Sequence, residues 1–289
     1  MGRFAYATCL RFGSAVSRTA WRRRGRWNIV LRRCFVAACV CFSVPGDGVA
    51  VEREVDLELV LAVDISQSMD LDEATLQRRG YVSALRHPDV IEGIQRGRLG
   101  RIAITYIEWS GEHYQRTLVG WTEIANENSA AAFAEAVERP TLKTAFWTSI
   151  STAITYAARR FEDNGFHAQR RIIDISGDGP NNNGAYVVDA RDRTVADGIV
   201  INGLPIVNDR PDPWDFSPPL NLDLYYEDCV IGGPGSFIVV ADGFKDFARA
   251  IRRKMILEIA GMVPPGPLLR LATERLRPPC DAGEQQVRG

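Results

Sequence analysis

Histidine is scarce in this chain: His87, His113 and His167 are the only three among 289 residues. They share no zinc-type spacing and fall in connections between expected elements, which excludes a histidine-built metal centre and leaves acid–base catalysis without its usual agent. No Gly-x-Ser-x-Gly elbow is present, so the common strand-to-helix serine nucleophile is excluded as well. The GGPG stretch at 232–235 lacks the Lys-Ser/Thr of a phosphate loop and precedes a strand, so it reads as a turn. No apolar run reaches the roughly 20 residues that a membrane-crossing helix needs.

The longest apolar run, CFVAACVCFSV at 34–44, stands between the basic WRRRGRWNIVLRR (21–33) and the small-residue PGDGVA (45–50). That order is the pattern of a secretory signal with cleavage near Ala50. Residues 1–50 are therefore expected to be a leader, 51–262 a folded domain, and 263–289, with repeated prolines and little periodicity, a flexible tail. Arg32–Val36 (RRCFV) also resembles a twin-arginine export motif. VAAC ending at Cys39 resembles a lipoprotein box set unusually close to the arginines. The expected location is periplasmic or secreted, without stable membrane insertion after the leader is removed.

Residues 1–50 hold nine arginines and one aspartate, so the remaining chain carries 26 basic and 35 acidic residues, a net charge of −9. That balance excludes a broad basic face for nucleic acid. Four of the six cysteines lie in the leader. Cys229 and Cys280 remain, and in an oxidising compartment two readings stand: a disulfide, or two free thiols with Cys280 in a loose tail.

What is present is an alternation of strand and helix patterns. Residues 57–63 (LELVLAV) read as a strand buried on both faces, and Asp70 with Glu73 three residues on opens a helix through about Leu85. Residues 101–109 and 114–121 form a hairpin, making the second strand antiparallel. Ile150, Ala153, Ile154, Ala157, Ala158 and Phe161 mark one stripe of a helix, as do Phe244, Phe247, Ala248, Ile251, Met255 and Ile259 of another. Helices are also expected at 129–138 and 186–197, and strands at 170–176, 199–207 and 236–241. The fold class is α/β, doubly wound and Rossmann-like: a mostly parallel sheet with helices on both faces, whose ligands bind at the carboxyl ends of the strands.

Three oxygen-bearing residues, Asp64, Ser66 and Ser68, follow the first buried strand at every second position, so their side chains can converge. Asp70 is free to cap the next helix, which releases the serines from that duty. Two further segments reach the same edge: WTSIS at 147–151 with Thr148, and SGDGPNNNG at 176–184 with Asp178. Two carboxylates and three hydroxyls suit a hard divalent cation with room for one more anionic oxygen. Thr148 also reads as a plain helix cap, Asp174 as a support for the site or a member of a buried pair, and Asn181–Asn183 as turn formers or ligand contacts. Trp214, in the proline-rich 210–219 loop, reads as a partner anchor or a side chain packed on the sheet. Asp174, Ser176 and Asp178 mimic the start of an EF-hand loop, but Ala185 stands where its final Glu belongs.

These residues resemble the metal-ion-dependent adhesion site of von Willebrand factor A domains, over roughly residues 55–261. DISGDGPNNNG, TSISTAI, VIGGPGSFIVVA and FARAIRRKMILEIAG further resemble a bacterial family of exported proteins, domain-of-unknown-function family 1194. The resemblance implies a six-stranded sheet with one antiparallel edge strand and a bound Mg²⁺ or Mn²⁺. Ser66, Ser68 and Thr148 would be direct hydroxyl ligands, with Asp64 and Asp178 acting mostly through water. It further implies capture of a ligand by that ion, here an Asp or Glu of a protein partner, and the missing serine elbow and histidine spacing point the same way, to a non-enzymatic role. One departure is Phe146-Trp147, where a small or glycine-containing pair is common; it implies a differently seated Thr148 loop and weaker cation binding. Two other functions fit less of the pattern. One is a metal-assisted hydrolase; the nucleophilic aspartate of a phosphotransferase would want an acid where Ser66 stands. The other is a structural scaffold with a vestigial site.

Overall fold

A computed structural model describes residues 52–207, 221–264 and 275–288, all within the compact unit Val49–Gly289. The leader with its Ala50 cleavage point, twin-arginine motif and Cys39, the loop with Trp214, and residues 265–274 of the expected tail lie outside the described residues. Strands β1 (Arg53–Glu54) and β2 (Glu58–Asp64) lead into helices α1 (Leu71–Leu85) and α2 (Pro88–Gln95). The hairpin β3 (Ile102–Trp109) and β4 (Gln115–Ile124) precedes α3 (Glu127–Glu138) and α4 (Ile150–Ala158). Then come β5 (Phe166–His167), β6 (Arg171–Gly177), α5 (Val187–Ala196), β7 (Val200–Val207), α6 (Leu222–Tyr225), β8 (Ala241–Asp242), α7 (Phe247–Ala260) and α8 (Ala282–Arg288).

Six strands form one sheet in the order β4-β3-β2-β6-β7-β8, and β1 pairs with β5 separately. Only the β3–β4 pair of the large sheet is antiparallel. Every residue of β2 is buried, and its alternation sorts side chains onto two cores. Leu57, Leu59, Leu61 and Val63 meet Tyr81, Phe133, Phe247 and Ile251 from α1, α3 and α7. Val60 and Ala62 meet Ile150, Ile154 and Val187 from α4 and α5. Each fully buried aliphatic side chain of this kind contributes about 1.5–3 kcal/mol, which explains why the apolar run Leu59–Val63 sits at the centre of the sheet. Right-handed parallel crossovers then bring the carboxyl ends of β2 and β6 side by side.

Helix α1 starts where the sequence places it. Asp70 accepts from the Glu73 backbone N–H at 2.8 Å, and the Glu73 side chain accepts from the Asp70 N–H at 3.0 Å. The last strand is shorter than the expected 236–241: only Ala241–Asp242 forms a ladder with β7. Upstream, the Asn202 side chain accepts the Phe237 N–H at 3.1 Å, diverting it from a strand partner. A single bridge joins Ile238 to Gly203.

Three helical stretches, α2, α6 and α8, go beyond the sequence expectation. Helix α2 is capped by His87, whose Nδ1 accepts from the Asp89 N–H, and it buries Val90, Ile91 and Ile94. Helix α6 continues into a wide turn at Tyr226–Val230. Residues 275–288, expected within a loose tail, are packed: Cys280 is bonded to Cys229, and Arg275 makes two contacts to the Asp223 carboxylate at 2.7 and 2.6 Å. Among the described residues no helix is long and apolar enough to cross a membrane.

Candidate functional site

Asp64 is the last residue of β2 and has no solvent exposure. Its Oδ1 accepts from the Ser66 N–H at 2.8 Å, which turns the chain so that Ser66 Oγ lies 3.0 Å from Ser68 Oγ. Ser68, exposed at the rim, donates to Asp178 Oδ1 at 2.6 Å. Four of the five predicted residues are thus linked through hydrogen bonds across the ends of β2 and β6. Because Asp70 and Glu73 close the helix start between themselves, neither serine is spent on capping.

Thr148 arrives on a loop that runs beside the Asp64–Ser68 segment. Ala145 bridges the two loops, its N–H donating to Ile65 O and its carbonyl accepting from the Gln67 N–H, each at 3.0 Å. Ser110 Oγ lies within 2.9 Å of the carbonyls of Ala145, Phe146 and Trp147, pinning their curvature. The Thr148 N–H donates to Asn182 Oδ1 at 2.8 Å, and the Asn182 N–H returns to Thr148 O at 2.9 Å. Thr148 is 4% exposed. A Cβ added to Gly179 would lie 3.9 Å from its Oγ1, placing the hydroxyl beside the Asp178 loop. Ser149, not Thr148, precedes α4, and its own side chain does not cap that helix.

Phe146 and Trp147 are 65% and 47% exposed. Trp147 has φ +70°, the left-handed region that glycine occupies without penalty. The glycine missing from this loop is therefore missing where the backbone calls for one. Since alanine retains the Cβ that clashes there, Trp147→Gly is expected to be more stable than Trp147→Ala by about 1 kcal/mol in urea unfolding. Equal stability of the two variants would show that the backbone there relaxes at no cost.

The site's electrostatics are unfavourable without a countercharge. Burial pushes the Asp64 carboxyl well above the usual carboxylate range, and the Asp178 charge pushes the same way, against hydrogen bonds from Ser66. Asp64 Oδ2 is buried without a hydrogen-bond partner, and so is the hydroxyl of Tyr226. Both lie against Gly177, where an added Cβ would come within 2.9 Å of Asp64 Oδ2 and 2.8 Å of Tyr226 Oη. Burial, then the Asp64 charge, raises the Tyr226 phenol well above its ordinary range.

The sequence offered no signal for Tyr226, which comes from an aperiodic turn, or for the pinning role of Ser110. Asn181, Asn182 and Asn183 each accept a backbone N–H, from Ser151 of α4, Thr148 and Glu112 respectively. Asp174 resolves as a paired group, with Oδ1 2.7 Å from the buried Lys254 Nζ. Cys229 and Cys280 resolve as a disulfide.

Among the described residues no group of three or more His, Cys, Asp or Glu side chains is placed to hold a metal. The oxygen cluster is a different kind of candidate, with two acids and three hydroxyls. Its buried, unpartnered Asp64 Oδ2 and the neighbouring Asp178 carboxylate fit a small hard cation, which favours oxygen donors.

The model of a protein family described as "Protein of unknown function (DUF1194)" matches residues 54–263. The chain belongs to the DUF1194 family. No curated protein matches it. Among solved structures, this DUF1194 chain is similar to proximal thread matrix protein 1 of the mussel byssus in a form with a zinc-occupied MIDAS motif. Identity is 12% and the TM-score 0.51, over 72% of this chain and 49% of that one. It is also similar to the pilus adhesin SpaC of Lactobacillus rhamnosus GG, at 14% identity and TM-score 0.52, over 73% of this chain and 32% of that one. A von Willebrand factor type A structure from Catenulispora acidiphila is 15% identical, with a TM-score of 0.47, over 71% of this chain and 43% of that one. The chain thus spans half or less of the length of these neighbours. The likeness is one of fold: the DUF1194 domain shares its α/β architecture with the thread matrix protein and the adhesin.

Proposed function

We propose that the domain is a divalent-cation-dependent protein-binding module of an exported protein. In this reading Asp64, Ser66, Ser68, Thr148 and Asp178 hold Mg²⁺ or Mn²⁺. The observation that carries it is the Asp64 carboxylate, fully buried at the strand end with Oδ2 unpartnered and the Asp178 charge close by. A buried, unpaired carboxylate is costly, and a cation bound here would supply the compensating charge and one position open to an acidic side chain of a partner protein. The serine and threonine hydroxyls add no charge of their own, so they leave the ion under-neutralised towards solvent. Ser68, at the exposed rim, marks the side from which a partner carboxylate would approach.

Two neighbours in fold are named as a thread matrix protein and a pilus adhesin, and a binding role of that general kind is what we extend to this chain. Phe146 and Trp147 stand out into solvent, which favours an accessible site over a vestigial one. Titration calorimetry with Mg²⁺ and Mn²⁺ tests the assignment: heat is expected from the wild type and none from Asp64→Ala. Equal heats from both proteins would remove it.

A further inference from the structure

Residues 275–288 lie outside the stretch matched by the family, yet they reach the loop that carries Asp178. We propose that this segment is a covalently anchored clamp that seats the 178–184 loop against the start of α4. Glu284 is its positioning residue and the Cys229–Cys280 bond its anchor. Its consequence for cation binding rests on the function proposed above; the clamp itself does not.

The contact centres on Asn181, which is fully buried. Its backbone N–H donates to Tyr225 Oη at 3.1 Å. Its Oδ1 accepts from the Ser151 N–H at 3.0 Å, at the start of α4 and three residues after Thr148. Its two Nδ2 protons go to Ala185 O at 3.0 Å and Glu284 Oε1 at 2.7 Å. Asn181 therefore ties the Asp178 loop to the Thr148 helix, and Glu284 fixes the orientation of its amide. Glu284 is 7% exposed. The approach is close enough that a Cβ on Gly283 would come within 2.2 Å of Asn181 O, so only glycine allows the segment to seat.

The anchor lies four residues before Glu284. Cys280 is bonded to Cys229, 51 residues earlier, beside the Tyr225–Tyr226 pair. The non-covalent fasteners, Arg275 to Asp223 and Arg277 to Asp228, are partly exposed, and exposed ion pairs hold weakly. Opening the bond takes two electrons and two protons from a dithiol, which becomes a disulfide while Cys229 and Cys280 become thiols. The segment then rests on non-covalent contacts: those pairs, the exposed Asn221 hydrogen bonds to Leu276 O and Arg275 Nε, the 3.5 Å bond from Tyr225 Oη to Cys280 O, and a carboxylate that gains hydration on leaving. The Asp178 loop is expected to be fully seated only in the oxidised protein.

The test is amide hydrogen exchange on the full chain, oxidised and after reduction with dithiothreitol, with the variants Glu284→Ala and Glu284→Gln. In both the reduced protein and Glu284→Ala, amides of 148–152 and 178–185 are expected to exchange about tenfold faster, while β2 and β6 are unchanged. Glu284→Gln keeps an acceptor for Asn181 Nδ2 and is expected to exchange as the wild type does. Unchanged exchange at 178–185, or faster exchange spread evenly over the sheet, would overturn the clamp. A parallel Mn²⁺ titration followed by paramagnetic resonance reads its consequence, an affinity about tenfold weaker in Glu284→Ala. If the oxidised wild type binds no Mn²⁺, the cation reading fails and the exchange data alone judge the clamp. If exchange quickens locally but Mn²⁺ affinity holds, the clamp stands and its consequence for cation binding is overturned.

Discussion

Replacing Lys254 by methionine is expected to lower stability by about 3–5 kcal/mol, a large part of what a domain of this size possesses. Lys254 is fully buried, with Nζ 2.7 Å from Asp174 Oδ1 and 2.5 Å from Glu258 Oε1. Asn202 donates a further hydrogen bond to the same Glu258 oxygen at 3.0 Å. One ammonium thus serves two carboxylates that cannot reach water. The Asp174 contact is close but poorly aligned, since neither of its oxygens makes a well-directed hydrogen bond. Without the ammonium both acids are uncompensated. The triple variant Lys254→Met, Asp174→Asn, Glu258→Gln removes every charge of the cluster and is expected to recover most of the loss. Urea unfolding of the two proteins is the measurement, and a loss under about 1 kcal/mol in the single variant would show that the acids already share a proton.

The same cluster sets a pH dependence. Burial, and then the Glu258 charge, push the Asp174 carboxyl up to about 7, with Lys254 pulling the other way. A carboxyl raised on folding binds more protons in the native than in the unfolded chain. Its contribution is therefore lost as pH rises from about 4, the unfolded value, through about 7. Asp174→Asn is expected to flatten that part of the stability profile.

The second large effect concerns Asp64. At a Mg²⁺ concentration about a hundred times the dissociation constant, the wild type is expected to gain about 2.7 kcal/mol by mass action, and Asp64→Asn nothing. In chelator the order reverses, because the amide carries no buried charge and the variant melts at or above the wild-type temperature. Thermal unfolding with and without Mg²⁺ gives both comparisons. A shift of the same size in both proteins would show that the ion binds elsewhere.

Much of this was legible from local pattern. The continuous apolar run before Asp64 could belong only to an interior strand, and Asp70 with Glu73 carried its own cap. The stripe at Ile150, Ala153, Ile154 and Ala157 is buried as its spacing required. The hairpin gave its direction away by its short connection. Features that depend on distant partners were not legible. Asp174 could be flagged as an anomaly within an apolar strand, but nothing near it names Lys254, which α7 brings across the sheet.

Cys229 and Cys280 left both outcomes open, because pairing depends on where the chain between them travels. Helix α2 has a local signal of its own: a capping residue followed by Pro88, then Val90, Ile91 and Ile94 on one face. The shortened last strand depends partly on distant groups, the Asn202 amide that accepts the Phe237 N–H and the Gly232 bridge to Ile201, and partly on Pro205, which has no N–H to give the ladder.

Gly177 draws these threads to one atom that is not there. With a carboxylate oxygen on one side and a phenol oxygen on the other, each under 3 Å from where its first side-chain carbon would stand, the strand end has no slack at all. A single methyl group, electrically silent and invisible to any tally of ligands, would have to evict one of the two oxygens. The cluster's weakest point is therefore an uncharged position that contributes no donor atom.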